Sequence, residues 1–267
     1  MSKKIIFSAG GTGGHIFPAI NLMEHFFEKG YEVILITDKR GNNFANKYSN
    51  FKSYVLKTDT PTDKNFLGKV LSLFIVLYSL LQSIKILKNE KADLIIGFGG
   101  YVSFPASFAS KFFNLPLVIY EPNIILGRAN KYLAPFAKKI LLAKTIEINF
   151  PKKYKNKVAI VGPIIKKNII NYSNFIKKNN KENFSILVLG GSQGAEVFGK
   201  IIPEVINMIY DEGNNIQINQ QCTGNQKNLI TDYYNKKNIK NYVFEFEKNI
   251  LDLILSSDIA ITRCGAS

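Results

Sequence analysis

Short apolar runs that end in glycines and are followed by a helical pattern are the feature that most constrains the fold of this chain. The junction occurs three times, at 4–14, 92–100 and 184–194, where KIIFS precedes GGTGG, ADLIIGF precedes GG and FSILVL precedes GGSQG. Continuous apolar runs of this length are typical of buried parallel strands, and their alternation with helical patterns is typical of βαβ units. The sequence therefore predicts an α/β fold with parallel sheets.

The alternation is interrupted once, by Gly162-Pro163 and a polar stretch at 171–183. Beyond it the pattern starts again, as expected for a second domain. We predict two Rossmann-like parallel-sheet domains, residues 1–163 and 164–267, with a linker at about 163–183. Because the second set of elements stops directly after a predicted strand at 258–262, we expect its sheet to be incomplete.

The formal charge of +15 favours anionic partners, although a general enrichment in lysine explains the surplus equally well. The basic residues are scattered and no RNA-binding signature appears, so nucleic acid is not a predicted partner. The two cysteines, Cys222 and Cys264, stand in no metal-binding spacing. The sequence predicts no metal site and no cofactor.

One segment, at 66–87, is apolar enough to resemble a membrane helix. Its uninterrupted apolar part is Val70–Leu81, shorter than the roughly 20 residues that a spanning helix needs. Two interpretations stay open: a buried core helix, or a patch that faces lipid and is flanked by lysines. The candidate membrane patch consists of Val70, Leu73, Phe74, Leu77 and Leu81.

In open α/β sheets, ligands bind beyond the carboxyl ends of the strands, where the glycine turns lie. Glycine lets a backbone approach a ligand closely, and the next helix offers free N–H groups to a phosphate. Tight turn geometry alone would also explain the glycines. Neither the P-loop pattern nor GxGxxG is met, which weighs against a P-loop NTPase and a dinucleotide dehydrogenase. His15, at the start of a helix, is a brace of the turn, a general base or a hydrogen-bonding residue for a ligand, whereas His25 is interpreted as structural.

Five motifs resemble the MurG family, whose members transfer N-acetylglucosamine from UDP-N-acetylglucosamine to the undecaprenyl-diphosphate-linked muramyl-pentapeptide. They are GGTGGHIFPA at 10–19, GFGGYVSFPA at 97–106, the turn at 121–123, LGGSQGA at 189–195 and TRCGA at 262–266. The resemblance implies the GT-B fold, in which two Rossmann-like domains face each other across a cleft. It also implies a metal-independent inverting glycosyltransferase that converts lipid I to lipid II, with His15 as the candidate base and Glu121 as a weaker one.

The resemblance further implies partners and site residues. The partners are UDP-N-acetylglucosamine, the lipid-linked muramyl-pentapeptide and an anionic membrane surface, with the protein peripheral on the cytoplasmic face of the bacterial plasma membrane. The acceptor-binding residues are Thr12, Gly13, Gly14, His15, Tyr101 and Asn123. The donor-binding residues are Thr12, Gly13, Gly14, Asn123, Lys166, Gly191, Ser192, Gln193, Gly194 and Arg263.

The chain departs from the family pattern in three places. Tyr120-Glu121-Pro122-Asn123 stands where the family has His-Glu-Gln-Asn, and a family arginine shortly after Gly162-Pro163 is missing unless Lys166 or Lys167 replaces it. The family also continues beyond the TRCGA motif. We therefore expect the 267 residues alone to transfer little or no sugar. The alternative is a non-catalytic, membrane-bound half that binds polyprenyl diphosphate and needs a partner chain.

Overall fold

The computed structural model describes residues 2–11, 13–48, 51–58, 65–146, 150–166, 183–191 and 196–263. The chain folds into two compact units, and the boundary between them lies after Lys166. Each unit is an α/β domain built on a parallel sheet, which confirms the predicted fold class.

The first unit has a seven-stranded parallel sheet in the order β3-β2-β1-β4-β5-β6-β7. Its strands are β1 (Lys4–Ser8), β2 (Glu32–Thr37), β3 (Lys52–Val55), β4 (Leu94–Gly97), β5 (Leu117–Glu121), β6 (Lys139–Leu142) and β7 (Val158–Ile160). The strand order reverses between β1 and β4, and this switch point is where ligands bind in open α/β sheets. The turns that follow β1 and β4 are the first two glycine turns of the sequence.

Helices cover both faces of this sheet. They are α1 (Gly13–Glu28), α2 (Lys39–Tyr48), α3 (Phe66–Glu90), α4 (Ser103–Ala109) and α5 (Arg128–Leu133), with 3-10 helices at Ser110–Phe113 and Lys152–Lys157. Alternate strand residues enter two separate cores, so Ile5 and Phe7 pack on one side while Ile6 packs on the other. Strands buried on both faces explain the continuous apolar runs in the sequence.

Helix α3 exposes apolar side chains from Leu67 to Leu81, whereas Leu87 near its carboxyl end packs in the core of the domain. Its buried side carries Ser72, Ser79 and Ser83, whose hydroxyls donate to carbonyl oxygens four residues earlier in the helix. We call its exposed apolar side the α3 outer face, and its residues are Leu67, Val70, Leu71, Leu73, Phe74, Leu77, Tyr78 and Leu81. Within the described residues, Val70–Glu90 is the one stretch long and apolar enough to cross a membrane, but its carboxyl end is held in the domain, because the Glu90 carboxylate bonds Lys4 and Lys52.

The second unit has a four-stranded parallel sheet in the order β10-β9-β8-β11. Its strands are β8 (Phe184–Leu189), β9 (Ile216–Gln221), β10 (Lys240–Phe244) and β11 (Ile259–Thr262), and its helices are α6 (Glu196–Asp211), α7 (Lys227–Lys236) and α8 (Ile250–Ser256). A 3-10 turn at Gly224–Gln226 precedes α7. The core lies between the sheet and helices α6 and α7, around Ile202, Ile218 and Tyr234.

The structure differs from the sequence prediction in a few elements. No helix or strand is predicted for the polar stretch after β2, but the structure has α2 and β3 there. Helix α2 is rich in Lys, Arg and Asn, and β3 is a short edge strand. The sequence pattern at 105–113 predicts one helix, but the structure is α-helical only to Ala109 and continues as a 3-10 turn. The sequence pattern also predicts a strand at 242–246, whereas strand β10 begins at Lys240.

Candidate functional site

The first two glycine turns touch each other at the carboxyl edge of the first sheet. A Cβ atom on Gly10 would lie 2.6 Å from Cγ2 of Val102, and one on Gly100 would lie 3.2 Å from the carbonyl oxygen of Gly10. Gly99 and Gly100 have φ angles of 85° and 80°, in the left-handed region that favours glycine. Local packing therefore requires these glycines. The groups left to bind a ligand here are the first backbone amides of α1 and the side chains around the turns.

His15 lies in the first turn of α1 with its imidazole packed against the second glycine turn. A Cβ atom on Gly99 would be 3.3 Å from Cε1 of the ring, and one on Gly100 would be 3.5 Å from Cδ2. Burial lowers the pKa of His15, while the negative charge of Glu121 and the backbone carbonyl of Phe98 oppose that effect in part. Nδ1 is buried and makes no hydrogen bond of normal geometry to any described residue. His15 is therefore neutral at pH 7, the form in which an imidazole accepts a proton.

Glu121, the last residue of β5, is fully buried and collects four hydrogen bonds. Its Oε1 accepts from the backbone N–H and the side-chain Nδ2 of Asn123, at 3.2 and 2.9 Å. Its Oε2 accepts from the backbone N–H of Gly127 at 2.8 Å and from Nδ2 of Asn130 at 2.9 Å. Nδ2 of Asn130 also donates to the carbonyl oxygen of Tyr120 at 3.1 Å. The carboxylate thus ties the loop that follows β5 to the start of helix α5.

The other predicted acceptor residues lie on the same edge of the first sheet. Gly13 and Gly14 begin helix α1, next to His15. Tyr101 follows the second glycine turn and is 44% exposed. Asn123 lies in the loop after β5, with its side-chain amide directed to Glu121. The structure therefore brings together, within one unit, the turns after β1, β4 and β5 that carry these residues.

Sequence reasoning missed two residues at this edge, Asp38 and Asn130. Asp38 follows β2, and its carboxylate accepts from the backbone N–H groups of Gly11 at 3.1 Å and Gly41 at 2.6 Å. The Gly11 amide is therefore occupied by a protein carboxylate. An acidic residue directly after a strand at the carboxyl edge was a usable signal for Asp38, but nothing local distinguishes Asn130 from other helical asparagines.

Lys166, a candidate to replace the missing arginine, lies beside helix α1. Burial raises the pKa of Glu24 on α1, and the positive charge of Lys166 partly lowers it again. The segment before Lys166 is held to the sheet by Tyr120, whose hydroxyl donates to the carbonyl oxygen of Gly162 at 3.3 Å and accepts from the N–H of Ile164 at 3.2 Å. The side chain at position 120, where the family usually has histidine, thus anchors the end of the first unit.

In the second unit, two predicted donor residues lie on adjacent turns. Gly191 has a φ of 85° and follows Gly190, whose N–H donates to Oε1 of Gln221 at 3.1 Å. Arg263 follows β11, and its backbone N–H donates to the carbonyl oxygen of Leu189 at 3.3 Å. Since β8 and β11 are neighbours, Gly191 and Arg263 both lie at the carboxyl edge of this sheet.

Several predicted residues fall outside the part of the chain that the structure describes. They are Thr12, Lys167, Ser192, Gln193 and Gly194. Their assignments stay predictions. Among the residues that are described, no group of three or more His, Cys, Asp or Glu is placed to hold a metal ion.

Comparison with domain families matches both units. Residues 5–142 match the glycosyltransferase family 28 N-terminal domain, and residues 185–267 match the glycosyltransferase family 28 C-terminal domain. Both glycine-turn regions of the first unit and the turn after β8 lie inside these matches.

Curated relatives match over nearly the whole chain. The chain is 38% identical to the UDP-N-acetylglucosamine--N-acetylmuramyl-(pentapeptide) pyrophosphoryl-undecaprenol N-acetylglucosamine transferase of Rickettsia felis, over 99% of this chain and 74% of the relative. It is 32% identical to the protein of the same name from Pelagibacter ubique, over 100% of this chain and 73% of the relative. Among solved structures, MurG of Acinetobacter baumannii has the same fold, with a TM-score of 0.69 and 24% identity over 99% of this chain and 74% of that one.

Proposed function

The chain belongs to glycosyltransferase family 28, within the MurG family, and we propose that it carries out the reaction for which its relatives are named. That reaction moves N-acetylglucosamine from UDP-N-acetylglucosamine to the lipid-linked muramyl-pentapeptide, converting lipid I to lipid II in peptidoglycan synthesis. The observation that carries the proposal is the 38% identity over 99% of the chain. The lowered pKa of His15, at the start of α1, suits a general base in this reaction.

The first unit supplies the acceptor side of the proposed reaction. The first backbone amides of α1, at Gly13 and Gly14, are an anion-binding terminus of a 16-residue helix and suit the diphosphate of the acceptor lipid. Because the Gly11 amide is already bound to Asp38, the diphosphate would rest on the helix and not on the start of the turn. Asn123 and Tyr101 lie on neighbouring turns and would contact the sugar or the phosphates.

His15 is the proposed general base. The oxygen of the muramyl 4-hydroxyl forms a bond to the anomeric carbon, the bond from that carbon to the UDP oxygen breaks, and the electron pair leaves with UDP. The hydroxyl proton goes to Nε2 of His15, since Nδ1 is buried. Burial lowers the pKa of His15, so we expect kcat/KM to fall only when the pH drops below the ordinary histidine value of 6.5.

The second unit supplies the donor side. The turn at Gly190–Gly191 and the neighbouring Arg263 lie at the carboxyl edge of the sheet, where an open α/β domain binds a nucleotide. The guanidinium of Arg263 and the backbone amides of the turn are groups that suit the UDP phosphates. Lys166, which ends the described part of the first unit, is a further candidate for phosphate contact.

Binding measurements test this function first, because they report on the acceptor and the donor side separately. The purified chain should bind a lipid I analogue, and His15→Ala with Tyr101→Ala should weaken that binding without weakening the binding of UDP-N-acetylglucosamine. The matched control is His25→Ala, which changes the other histidine, an exposed residue of the same helix. Failure of the wild-type chain to bind either substrate would contradict the proposal. Binding of the acceptor alone, with no affinity for the donor, would favour the non-catalytic alternative.

We also propose that the α3 outer face docks the protein onto an anionic membrane, peripheral on the cytoplasmic face of the plasma membrane. The support is the exposed apolar surface that α3 presents from Leu67 to Leu81, whose buried side over this stretch carries Ser72 and Ser79. A contiguous exposed apolar surface of this kind marks an interaction site. All five residues of the predicted patch, Val70, Leu73, Phe74, Leu77 and Leu81, are exposed.

Neighbouring aromatic and basic side chains extend this surface. The 3-10 turn that follows α4 packs beside α3 and exposes Phe112 and Phe113. Nζ of Lys111 lies 4.7 Å from the ring centre of Phe136, and Lys85 and Lys88 are exposed on α3 itself. Basic residues near an anionic bilayer add about 1 kcal/mol each to membrane binding.

Flotation with vesicles containing anionic lipid tests the docking surface. Leu77→Asp should abolish most of the binding, because it places a charge in the apolar contact. Leu229→Asp is the matched control, since Leu229 is a 72% exposed leucine on α7 of the second unit. Unchanged flotation of a folded Leu77→Asp protein, or equal loss in both variants, would contradict the assignment.

A further inference from the structure

The buried carboxylate of Glu121 has a role other than the weaker candidate base that the sequence suggested. We propose that Glu121 is the positioning residue of the acceptor side: it fixes the loop from Pro122 to Gly127, supplies the negative charge beside His15, and takes up no proton in the reaction. That this edge of the sheet binds the acceptor rests on the proposed function. The effect of Glu121 on its loop and on His15 does not.

The hydrogen-bond geometry leaves Glu121 no place for a proton. A carboxylate has two oxygens with two lone-pair directions each. Oε1 receives two N–H groups of Asn123, and Oε2 receives the N–H of Gly127 and Nδ2 of Asn130. Four donors therefore fill four acceptor positions. A proton arriving at either oxygen would have to displace one of the bonds that hold the loop.

The same count shows why an amide cannot replace the carboxylate. Glutamine has the shape of glutamate, but one end of its amide is an NH2 group that donates. Because both oxygens of Glu121 face two donors, either orientation of a glutamine would set its NH2 against two N–H groups. The site therefore requires a group that only accepts, which is an ionised carboxylate.

Glu121 reaches His15 through Asn130 and the second glycine turn. A Cβ atom on Gly99 would lie 3.3 Å from Nδ2 of Asn130, the amide bound to Glu121, and also 3.3 Å from Cε1 of His15. The amide and the imidazole therefore border the same small gap, which Gly99 leaves open. Oδ1 of Asn130 and Nδ1 of His15 are both buried and have no hydrogen-bond partner among the described residues.

Glu121 is the charged group that acts on His15. Its negative charge raises the pKa of His15 against the larger, opposite effect of burial. Among the other charged groups on the elements around the turn, Asp38 is bound to the Gly11 and Gly41 amides, and Lys39, Arg40 and Arg128 are exposed. The turn after β4 places Gly99 and Gly100, which carry no charge, next to the ring.

Histidine titration by NMR on the whole chain tests the proposal without any substrate. The chain has two histidines, so His25, exposed on the same helix, is an internal reference. In Glu121→Gln the pKa of His15 should fall below its wild-type value while that of His25 stays the same. In Glu121→Asp, which keeps the charge, the pKa of His15 should stay closer to the wild-type value.

Asp38→Asn is the matched control, because it removes a different carboxylate from the same edge of the sheet and should leave both histidines unchanged. An unchanged pKa of His15 in folded Glu121→Gln would overturn the proposal. So would an equal fall of that pKa in Asp38→Asn. A wild-type chain that binds no acceptor would remove the proposed function but leave this titration readable.

Amide hydrogen exchange in the wild-type chain keeps the test independent of how well the variants fold. The backbone amides of Asn123 and Gly127 should exchange at least about tenfold more slowly than in an unstructured peptide, although they lie in a loop. Exchange of both amides at the unstructured rate would show that the carboxylate does not hold the loop, and it would overturn the proposal.

Discussion

Among its described residues, the first unit buries two glutamates, Glu90 at the amino edge of the sheet and Glu121 at the carboxyl edge. Lys4 and Lys52 bond Glu90 with their ammonium groups, at 3.1 and 2.7 Å, and the hydroxyl of Tyr54 donates to it as well. Glu121, in contrast, receives four neutral N–H groups and no cation. Both carboxylates are satisfied, but only the first is neutralised.

This difference separates a structural carboxylate from one that can influence chemistry. The cations around Glu90 cancel its charge and hold the end of α3 to strands β1 and β3, so that its effect stays local. Neutral donors satisfy Glu121 but leave its charge in place, and that charge acts on His15. At the carboxyl edge of the sheet, where open α/β folds bind ligands, the charge of Glu121 is thus retained. At the amino edge, the charge of Glu90 is neutralised.

The largest expected effect comes from removing the side chain of Glu121. Glu121→Ala leaves four N–H donors unpaired in a buried site, which should lower the free energy of unfolding by about 3–5 kcal/mol. Urea denaturation followed by circular dichroism at pH 7 measures this loss. Glu204→Ala is the control, because Glu204 is exposed on α6 and its removal should change stability by no more than about 0.5 kcal/mol. Equal stability of the two variants would show that the four hydrogen bonds to Glu121 do not stabilise the fold.

The contribution of Glu90 to stability should be lost at low pH. Burial alone would raise the pKa of Glu90, but hydrogen bonds from Lys52, Tyr54 and Lys4 outweigh burial and lower it to about 2, from 4.5. The stabilisation is therefore complete above pH 4.5 and is lost as the pH falls toward 2, by about 3 kcal/mol in total. In Glu90→Gln this part of the pH dependence should disappear, as followed by urea denaturation from pH 6 to pH 2. A variant with the wild-type pH dependence would show that Glu90 is not the group responsible.

The smallest effect concerns the single neutral donor to Glu90. Tyr54→Phe removes one hydrogen bond and leaves both lysines, so it should cost about 1 kcal/mol of unfolding free energy at pH 7. Tyr132→Phe, at a 69% exposed tyrosine of α5, should cost almost nothing and is the control. A Tyr54→Phe protein as unstable as Glu90→Gln would mean that the hydroxyl, and not the cations, satisfies Glu90.

Much of the fold and part of the site could be predicted from the sequence. Apolar runs, glycine turns and helical spacing are local signals, and they located β1, β4 and β8 to within about two residues. The same signals placed His15 at the start of a helix and Asn123 after a strand. The motifs also indicated the family, which the relatives confirm.

Other elements of the fold depend on contacts between residues that are distant in sequence, or on which side of a helix faces the domain, and the spacing of apolar residues gives neither. Helix α2 and strand β3 have little apolar character, and only packing against β2 and α1 defines them. The interpretation of α3 was left open between core and lipid, because an apolar helix does not show by itself which side meets the domain. The structure shows the serine side inward, and membrane binding by the opposite side remains our proposal.

Apart from α2 and β3, the sequence by itself determined the order of strands, turns and helices and the residues available at each turn, because short-range periodicity and the conformational freedom of glycine are properties of local segments. Only the tertiary structure decided that Glu121 collects four donors, that Asn130 and His15 border one gap, and that Asp38 occupies the Gly11 amide. Each of these depends on how separate turns come together at one edge of a sheet. The sequence around a glutamate does not show whether cations or neutral amides will surround its carboxylate in the folded protein.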